Sequence, residues 1–337
     1  MSRALHIQQA GPGLTVQDLG RPGYLACGLS RGGAADRLAI FEGAALLGQD
    51  AALAALEMAG MGGTFTATEA LRIALTGAPM RVRIDGQPVA WNASHLLPAG
   101  ARLEIGPATA GVYGYLHLGG GISTPEVLGA RAAHLAAGIG RALKAGDSLP
   151  IGPDRGQETG LFLDPDDRFS GGELRVVAGY QTALFPDEEV IRFEQTRFTR
   201  DARGNRMGVR LAPEGDGFAA RAGLTVLSEA IVPGDIQITG DGAPFVLMAE
   251  CQTTGGYPRI GAVLPCDLPR VAQAAPGTAL RLRFVPPGEA LAAERRAAEA
   301  RATLRRRLTP LTRDPRDIRD LLSYQLISGA TAGNEEE

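Results

Sequence analysis

Residues 250–263 read ECQTTGGYPRIGAV. Gln252, Thr253 and Thr254 set an amide and two hydroxyls in a row, each able to donate and accept hydrogen bonds. Gly255 and Gly256 follow; without a Cβ they allow positive φ and close approach of a ligand to backbone. Tyr257 adds a flat face and a hydroxyl, and Pro258 stiffens the exit. Arg259 brings a guanidinium that can grip a carboxylate or phosphate with two N–H groups. Val246, Leu247 and Met248 lead in, and Ile260, Ala262, Val263 and Leu264 lead out. A stiff polar loop hung from apolar strands is a means of holding a reacting oxygen in place. A purely structural loop is the competing explanation.

Three further segments carry polar groups that packing alone does not demand. Residues 11–36, GPGLTVQDLGRPGYLACGLSRGGAAD, hold seven glycines and two prolines, with Asp18, Arg21 and Asp36 as polar tips. Long irregular segments in compact domains are often functional; the structural alternative is an Ω-loop with Asp36 capping a helix. Residues 204–211, GNRMGVRL, place Arg206 as an anion binder or a solvated hairpin residue. Residues 227–245 offer Ser228, Glu229, Gln237 and Asp241, with turn chemistry for Asp241 and an exposed strand face for Gln237 as the alternative. Cys251 adjoins the threonine pair, but nothing nearby would depress its pKa, so it is not read as a nucleophile. His117 reads as an alternating strand residue and Trp91 as core or rim.

The elements that must position these groups are mostly short strands. Leu71–Leu75, Met80–Ile84 and Leu280–Val285 alternate apolar and polar residues, the period of half-buried strands. Asp85-Gly86 and Asp241-Gly242 read as tight turns. A glycine turn followed by a strand recurs as AGARLEIG, AGDSLPIG, PGDIQITG and PGTALRLRF, twice in each half. The expectation is a mainly β chain, barrel or sandwich, with two β-rich subdomains at about 1–155 and 165–287. Helices are few. Asp36 to Leu47 begins with an Asp cap and places Leu38, Phe41 and Ala45 on one face. Residues 288–337 form a helical extension by composition, with a second helix at 314–327 and a frayed tail at 334–337.

Composition bounds the function. The 337 residues are 45% hydrophobic and 21% charged with a net charge of -3, an ordinary globular balance. No global basic field draws the chain to nucleic acid or acidic lipid. Three cysteines without a CxxC pair fit a reducing cytoplasm, and four scattered histidines give no zinc spacing. The opening MSRALHIQQAGPG lacks an apolar run, so no signal peptide is expected. No stretch approaches the roughly 18 apolar residues of a membrane span. Neither a P-loop, nor a strand-linked G-x-G-x-x-G, nor a G-x-S-x-G elbow is present.

Taken in order, the four segments resemble one family, that of the 5-oxoprolinase C component, also called KipA. It is related to allophanate hydrolase subunit 2 and to the carboxyltransferase region of urea carboxylase. The phrases carrying the resemblance are GLTVQDLGRPGY (13–24), GGAAD (32–36), LLGQDAALAALE (46–57), ALTGA (74–78), GGGISTPEVLGAR (119–131), RALKAGDSLPIG (141–152), NRMGVRL (205–211), LSEAIVPGDIQI (227–238) and QTTGGYPRI (252–260). They span about residues 5–285. The chain departs from the family's usual Ser-Gly-Ala-Met-Asp at Arg31–Asp36, from its usual Pro beside Gly179-Tyr180-Gln181, and from its Val-Pro at Thr239-Gly240. Asp36 and Gln181 survive.

The resemblance implies a cyclophilin-like β-barrel over about 1–287. It implies one subunit of an ATP-dependent 5-oxoprolinase that opens 5-oxoproline to L-glutamate in the cytoplasm. Its partners would be a KipI-like B component and a LamB/YcsF-like A component, with ATP and Mg²⁺ held on this chain or on a partner. On that reading Asp36, Arg206, Gln252, Thr253, Thr254 and Tyr257 would be catalytic. Arg21, Gln181, Ser228, Glu229, Gln237, Gly255, Gly256 and Arg259 would bind substrate or phosphate, and Glu57 and Asp241 would hold the metal. Two alternatives stay open. One is a carboxyltransferase acting on carboxybiotin; no internal Ala-Met-Lys-Met motif is present, so biotin would come from elsewhere. The other is a non-catalytic regulator that binds a KipI-like kinase inhibitor.

Overall fold

The computed structural model describes residues 3–221, 223 and 226–312; the helix expected at 314–327 and the tail at 334–337 lie outside the described residues. The chain is mainly β. Its first part packs two antiparallel sheets face to face. One runs, in spatial order, Ser148–Pro150, Ala4–Ala10, Met61–Ala67, Arg102–Ala108, Met80–Ile84 and Gln87–Pro88; the other runs Thr15–Gln17, Ala55–Ala59, Tyr113–Leu118, Leu71–Gly77 and Ser94–Leu97. Leu5, Ile7, Phe65, Leu103, Leu56, Ile73 and Leu116 fill the space between them. The second part is a closed barrel of seven strands: Gly172–Val177, Arg259–Val263, Asp235–Ile238, Pro244–Leu247, Gly208–Pro213, Phe198–Gly204 and Ala279–Phe284. Closure leaves no unpaired edge. The last strand pairs in parallel with the first, Leu174 opposite Leu282.

The alternation read from sequence holds where one face is wet. Met80 and Val82 are buried while Arg81 and Arg83 are exposed, and Leu280 and Leu282 face the barrel core. Leu71–Gly77 departs from it, since all seven residues are buried. Its second face is covered by helix α1 (Arg37–Leu47), so Arg72 is buried too and pairs with Asp154 at 2.6 Å. At the Asp85-Gly86 turn both residues have positive φ, the geometry of a two-residue hairpin.

Asp36 caps α1 as expected, accepting from the amides of Leu38 and Ala39, and Gly48 ends it in the left-handed conformation. The buried face of α1 is a correction to the sequence reading. Ala39, Ile40, Gly43, Ala44, Leu46 and Leu47 are the buried apolar residues, whereas Leu38, Phe41 and Ala45 are only half-buried. Leu38 and Phe41 instead line a cavity between α1 and the later helix Pro287–Ala302, while α1 lies close to the sheet at Gly43. A Cβ at Gly43 would sit 2.2 Å from the His117 ring. Helix α2 (Asp187–Gln195) sends Phe193 into the barrel core against Phe198 and Phe218. After α3 (Leu268–Gln273), helix α4 (Pro287–Ala302) opens the C-terminal extension and packs against α1.

His117 is buried and bonds Thr76 at 2.8 Å, while the Thr76 hydroxyl donates to the Ala39 carbonyl. His117 Nε2 must therefore carry the proton. Burial pulls its pKa down to about 3.

This packing has consequences for stability. Gly→Ala in a helix interior normally stabilises by about 1 kcal/mol; Gly43→Ala is expected instead to destabilise by about 1–3 kcal/mol through overpacking against His117. Urea unfolding measures it. The second consequence concerns pH. Above pH 6.5 the imidazole is neutral folded and unfolded. Below it the unfolded chain gains a proton that the folded chain refuses down to about pH 3. Stability is thus lost as pH falls through that window, at about 1.4 kcal/mol per unit for this one group. His117→Asn should flatten the slope of unfolding free energy between pH 6 and 4.

Candidate functional site

A buried chain of charges joins the two β units. Arg206, on the barrel, donates Nε to Glu250 at 2.6 Å and Nη2 to the Gly33 carbonyl at 2.5 Å, and Nη1 pairs with Glu57. The other Glu57 oxygen accepts from the Ala35 amide at 2.8 Å and from the Tyr115 hydroxyl at 2.7 Å. That hydroxyl accepts in turn from the Asp36 amide at 2.8 Å. Asp36 Oδ2 takes Arg168 Nε and Gln273 Nε2, each at 2.8 Å, and Arg168 forks onto Glu42. Asp36, Glu57, Tyr115 and Glu42 come from the first unit, and Arg206, Glu250 and Gln273 from the second.

This corrects several assignments. Asp36 is fully buried with its carboxylate taken by the helix cap, Arg168 and Gln273, so it is a joint between elements. Arg206 spends its guanidinium on protein carboxylates, which keeps it from acting as an open anion clamp. Arg21 is also buried. It holds the Val127 and Ala132 carbonyls, tying residues 11–36 to the 124–134 loop, and Asp18 does the same through the Arg131 and Ala132 amides. Glu57 and Asp241 do not fit a Mg²⁺ site. The Glu57 oxygens are occupied as above, and Asp241 caps a surface hairpin through Thr239 and Arg210. No cluster of three His, Cys, Asp or Glu able to hold a metal occurs among the described residues.

The threonine loop sits beside this seam. The Ala249 carbonyl accepts from the Gly32 amide at 2.9 Å, and the Glu250 amide donates to the Arg206 carbonyl at 2.8 Å. A Cβ on Gly28 would lie 4.0 Å from Thr253 Oγ1, so the N-terminal glycine-rich segment does meet the loop. Thr254–Gly255 pairs with Glu229–Ala230 in a two-stranded ribbon. Around it Arg259 gathers Glu229 at 2.7 Å, Asp235 at 3.1 Å, Gln181 at 2.9 Å through its backbone amide, and the Tyr180 hydroxyl at 2.6 Å. Gln181 donates to Glu229 at 2.7 Å. Arg259 is therefore a scaffold for the ribbon, a second correction of the anion-binder assignment.

What the loop leaves open is the side chains of Gln252, Thr253, Thr254, Tyr257 and Ser228. None of them hydrogen-bonds another described residue, and Gln252, Thr254, Tyr257 and Ser228 are exposed. Gly255 and Gly256 do not have positive φ, contrary to the sequence reading. Close packing requires them: a Cβ at Gly255 would lie 2.4 Å from the Gln237 amide nitrogen, and one at Gly256 would lie 3.2 Å from the Val226 carbonyl. Gln237 is buried under the loop instead of lining an exposed strand face.

Sequence reasoning misses Glu250, Arg168, Glu42, Tyr115, Gln273 and His134. Glu250 stands in the quoted stretch; a lone acid between apolar residues and the loop is its signal. Ser30, His134 and Glu250 also mimic a catalytic triad. Ser30 Oγ is 2.9 Å from His134 Nε2, and His134 Nδ1 is 3.9 Å from Glu250. The Ala137 amide, however, donates to Nδ1, which fixes the proton on Nε2. That nitrogen donates to Ser30 and has no lone pair to take its proton. All three residues are buried. Cys251 is no nucleophile either, because burial pushes its thiol up to about 12.

Comparison with known proteins gives this geometry a context. The family described as carboxyltransferase domain, subdomain A and B, matches residues 27–285. The C component of 5-oxoprolinase from Escherichia coli (strain K12) is 35% identical over 274 residues, 80% of this chain and 87% of that protein. That of Haemophilus influenzae is 32% identical over 275 residues, with 80% and 88% covered. Urea amidolyase of Saccharomyces cerevisiae is 25% identical over 307 residues, 84% of this chain but 16% of that protein. Among solved structures, TTHA0988 has a TM-score of 0.76 at 31% identity, covering 84% of this chain and 56% of that one. Urea carboxylase of Kluyveromyces lactis shares the fold, with a TM-score of 0.79 at 23% identity, covering 93% of this chain and 31% of that one.

Removing Arg206 leaves two buried carboxylates unpaired, so Arg206→Ala should cost about 3–5 kcal/mol in chemical denaturation. The cysteines give an independent check on burial. Cys27 is exposed, while the Cys251 and Cys266 thiols are both pushed up to about 12 by burial. A thiol reagent at pH 8 should titrate Cys27 quickly, the half-buried Cys266 more slowly and the buried Cys251 only on unfolding; loss of the fast phase in Cys27→Ser confirms the assignment.

Proposed function

The chain belongs to the carboxyltransferase-domain family, among the C components of 5-oxoprolinase, and from that premise we propose that it serves as one subunit of an ATP-dependent 5-oxoprolinase. The complex would open the lactam of 5-oxoproline to L-glutamate in the cytoplasm. The other members would be a KipI-like B component and a LamB/YcsF-like A component. The observation that carries this reading is the likeness to the two bacterial proteins over most of the chain, including the threonine loop.

Ring opening breaks the lactam C–N bond and adds water across it, giving a carboxylate and an amine. As a nucleophile adds to the carbonyl carbon, negative charge grows on the oxygen. Donors placed where that charge develops lower the barrier most. Gln252, Thr253 and Thr254 present such donors with no competing side-chain partner among the described residues. The ribbon with Glu229 and the Arg259 scaffold hold them in place. ATP makes the overall reaction favourable. With no cluster of three His, Cys, Asp or Glu among the described residues, we place the nucleotide and its metal with the partner proteins.

A second reading, carboxyl transfer from carboxybiotin held on another chain, draws on the likeness to urea amidolyase. The test assays ATP hydrolysis with all three components present, using 5-oxoproline or urea. The expected result is turnover with 5-oxoproline that falls tenfold or more in Thr254→Ala. The melting temperature should stay unchanged, because the Thr254 side chain is exposed and makes no bond to a described residue. Wild-type turnover in both Thr254→Ala and Gln252→Ala would remove the loop from the chemistry. Urea-dependent turnover would favour the second reading, and turnover indifferent to this chain would leave it a non-catalytic regulator.

A further inference from the structure

On the Met248–Ala249 lead-in to the threonine loop, α1, α4 and the turn before α3 line a cavity of about 360 Å³, a size typical of sites for small organic ligands. Leu38, Phe41, Met248, Leu268 and Leu304 give it an apolar body. These include the two large α1 residues whose spacing alone would assign them to the core. Four arginines also line it: Arg31, Arg37, Arg301 and Arg307. The acids on its walls do not pair with them. Glu42 and Asp166 are taken by Arg168, Glu294 accepts from the Cys266 amide, and Asp164 is exposed and forms no ion pair with a described residue.

Arg37 is the unusual member. Its Nε is shut off from solvent and has no partner, and the guanidinium forms no hydrogen bond or ion pair with any described residue. Arg31 spends its Nε on the Leu19 carbonyl, and Arg301 lies 5.7 Å from the centre of the Phe41 ring. Arg31, Arg37 and Arg301 are half-buried; like charges gathered there without a counter-ion lose hydration and repel one another, at a cost. Burial, with the charges of Arg31 and Arg301, pulls the Arg37 pKa down to about 10, so it stays charged at neutral pH.

We propose that this cavity binds an organic anion, with a carboxylate or phosphate head held by Arg37 between Arg31 and Arg301 and an apolar body lying over Leu38, Phe41 and Met248. An apolar wall beside a cationic end suits such an amphipathic ligand, and a guanidinium fork suits its oxyanion head. The site is independent of the lactam-opening reading, since it uses none of the loop residues.

The test titrates the purified chain with octanoate, octyl phosphate and 1-octanol, following melting temperature and heat of binding. At least one octyl anion should bind saturably at millimolar concentration and raise the melting temperature, while 1-octanol should not. Comparing octanoate with octyl phosphate identifies the preferred head. Arg37→Gln should reduce binding at least tenfold. It should leave the unliganded melting temperature unchanged or higher, because an unpaired, half-buried charge beside two other arginines has been removed. Arg301→Gln, on the opposite helix, gives a second readout should Arg37→Gln fold poorly. Failure of both anions to bind, or equal binding by wild type and both variants, would overturn the proposal.

Discussion

The position of Arg206 between Glu57 and Glu250 is the constraint on which the rest of the structure turns. A buried guanidinium holding two buried carboxylates is tolerable only when every group finds a partner at short range. Here the three residues come from both β units, so the units must be brought to within a hydrogen bond of one another before the charges are satisfied. The Gly33 carbonyl and the Ala35 amide enter the same network, which fixes the glycine-rich segment as well. From Tyr115 the chain of contacts passes to Asp36 and hence to the start of α1. One interaction thereby sets the helix, the seam and the strand that delivers the threonine loop.

The loop itself shows how a site is kept open beside so much internal pairing. Arg259 binds Glu229, Asp235, Gln181 and Tyr180, and in doing so immobilises the ribbon beneath the threonines. The charged residues nearby are consumed as scaffold, and the neutral polar ones remain free. A reacting oxygen meeting this loop would find hydroxyl and amide donors, whose positions are fixed by charges it never touches. Such division of labour is how a first set of groups is held rigid by a second.

Much of this was legible in the sequence. Alternation at Met80–Ile84 and Ala279–Phe284, the Asp-Gly turn and the Asp36 cap all depend on local rules, and the structure follows them. The segments converging on the seam were also recognisable as departures from what packing needs. The partners of the arginines were not. Whether Arg206 meets a substrate or Glu57 is decided by a contact 149 residues distant, and no local pattern encodes that. The same holds for Leu38 and Phe41, whose periodicity marks a buried face without saying whether the neighbour is a sheet or a cavity. Gly255 reads as a residue of conformational freedom, whereas its need is for room against Gln237.

In each β unit the opening strand lies beside the closing one: Ala4–Ala10 pairs with Ser148–Pro150, and Gly172–Val177 with Ala279–Phe284. A ribosome delivering this chain from its N-terminus therefore cannot complete the six-stranded sheet or the barrel until the last strand of each has emerged. Asp36 waits for Gln273, 237 residues downstream, and Phe41 longer still, for Arg301. During synthesis the first unit is exposed with half of its joint unmet, and the contacts that weld it to the barrel are among the last that translation makes available.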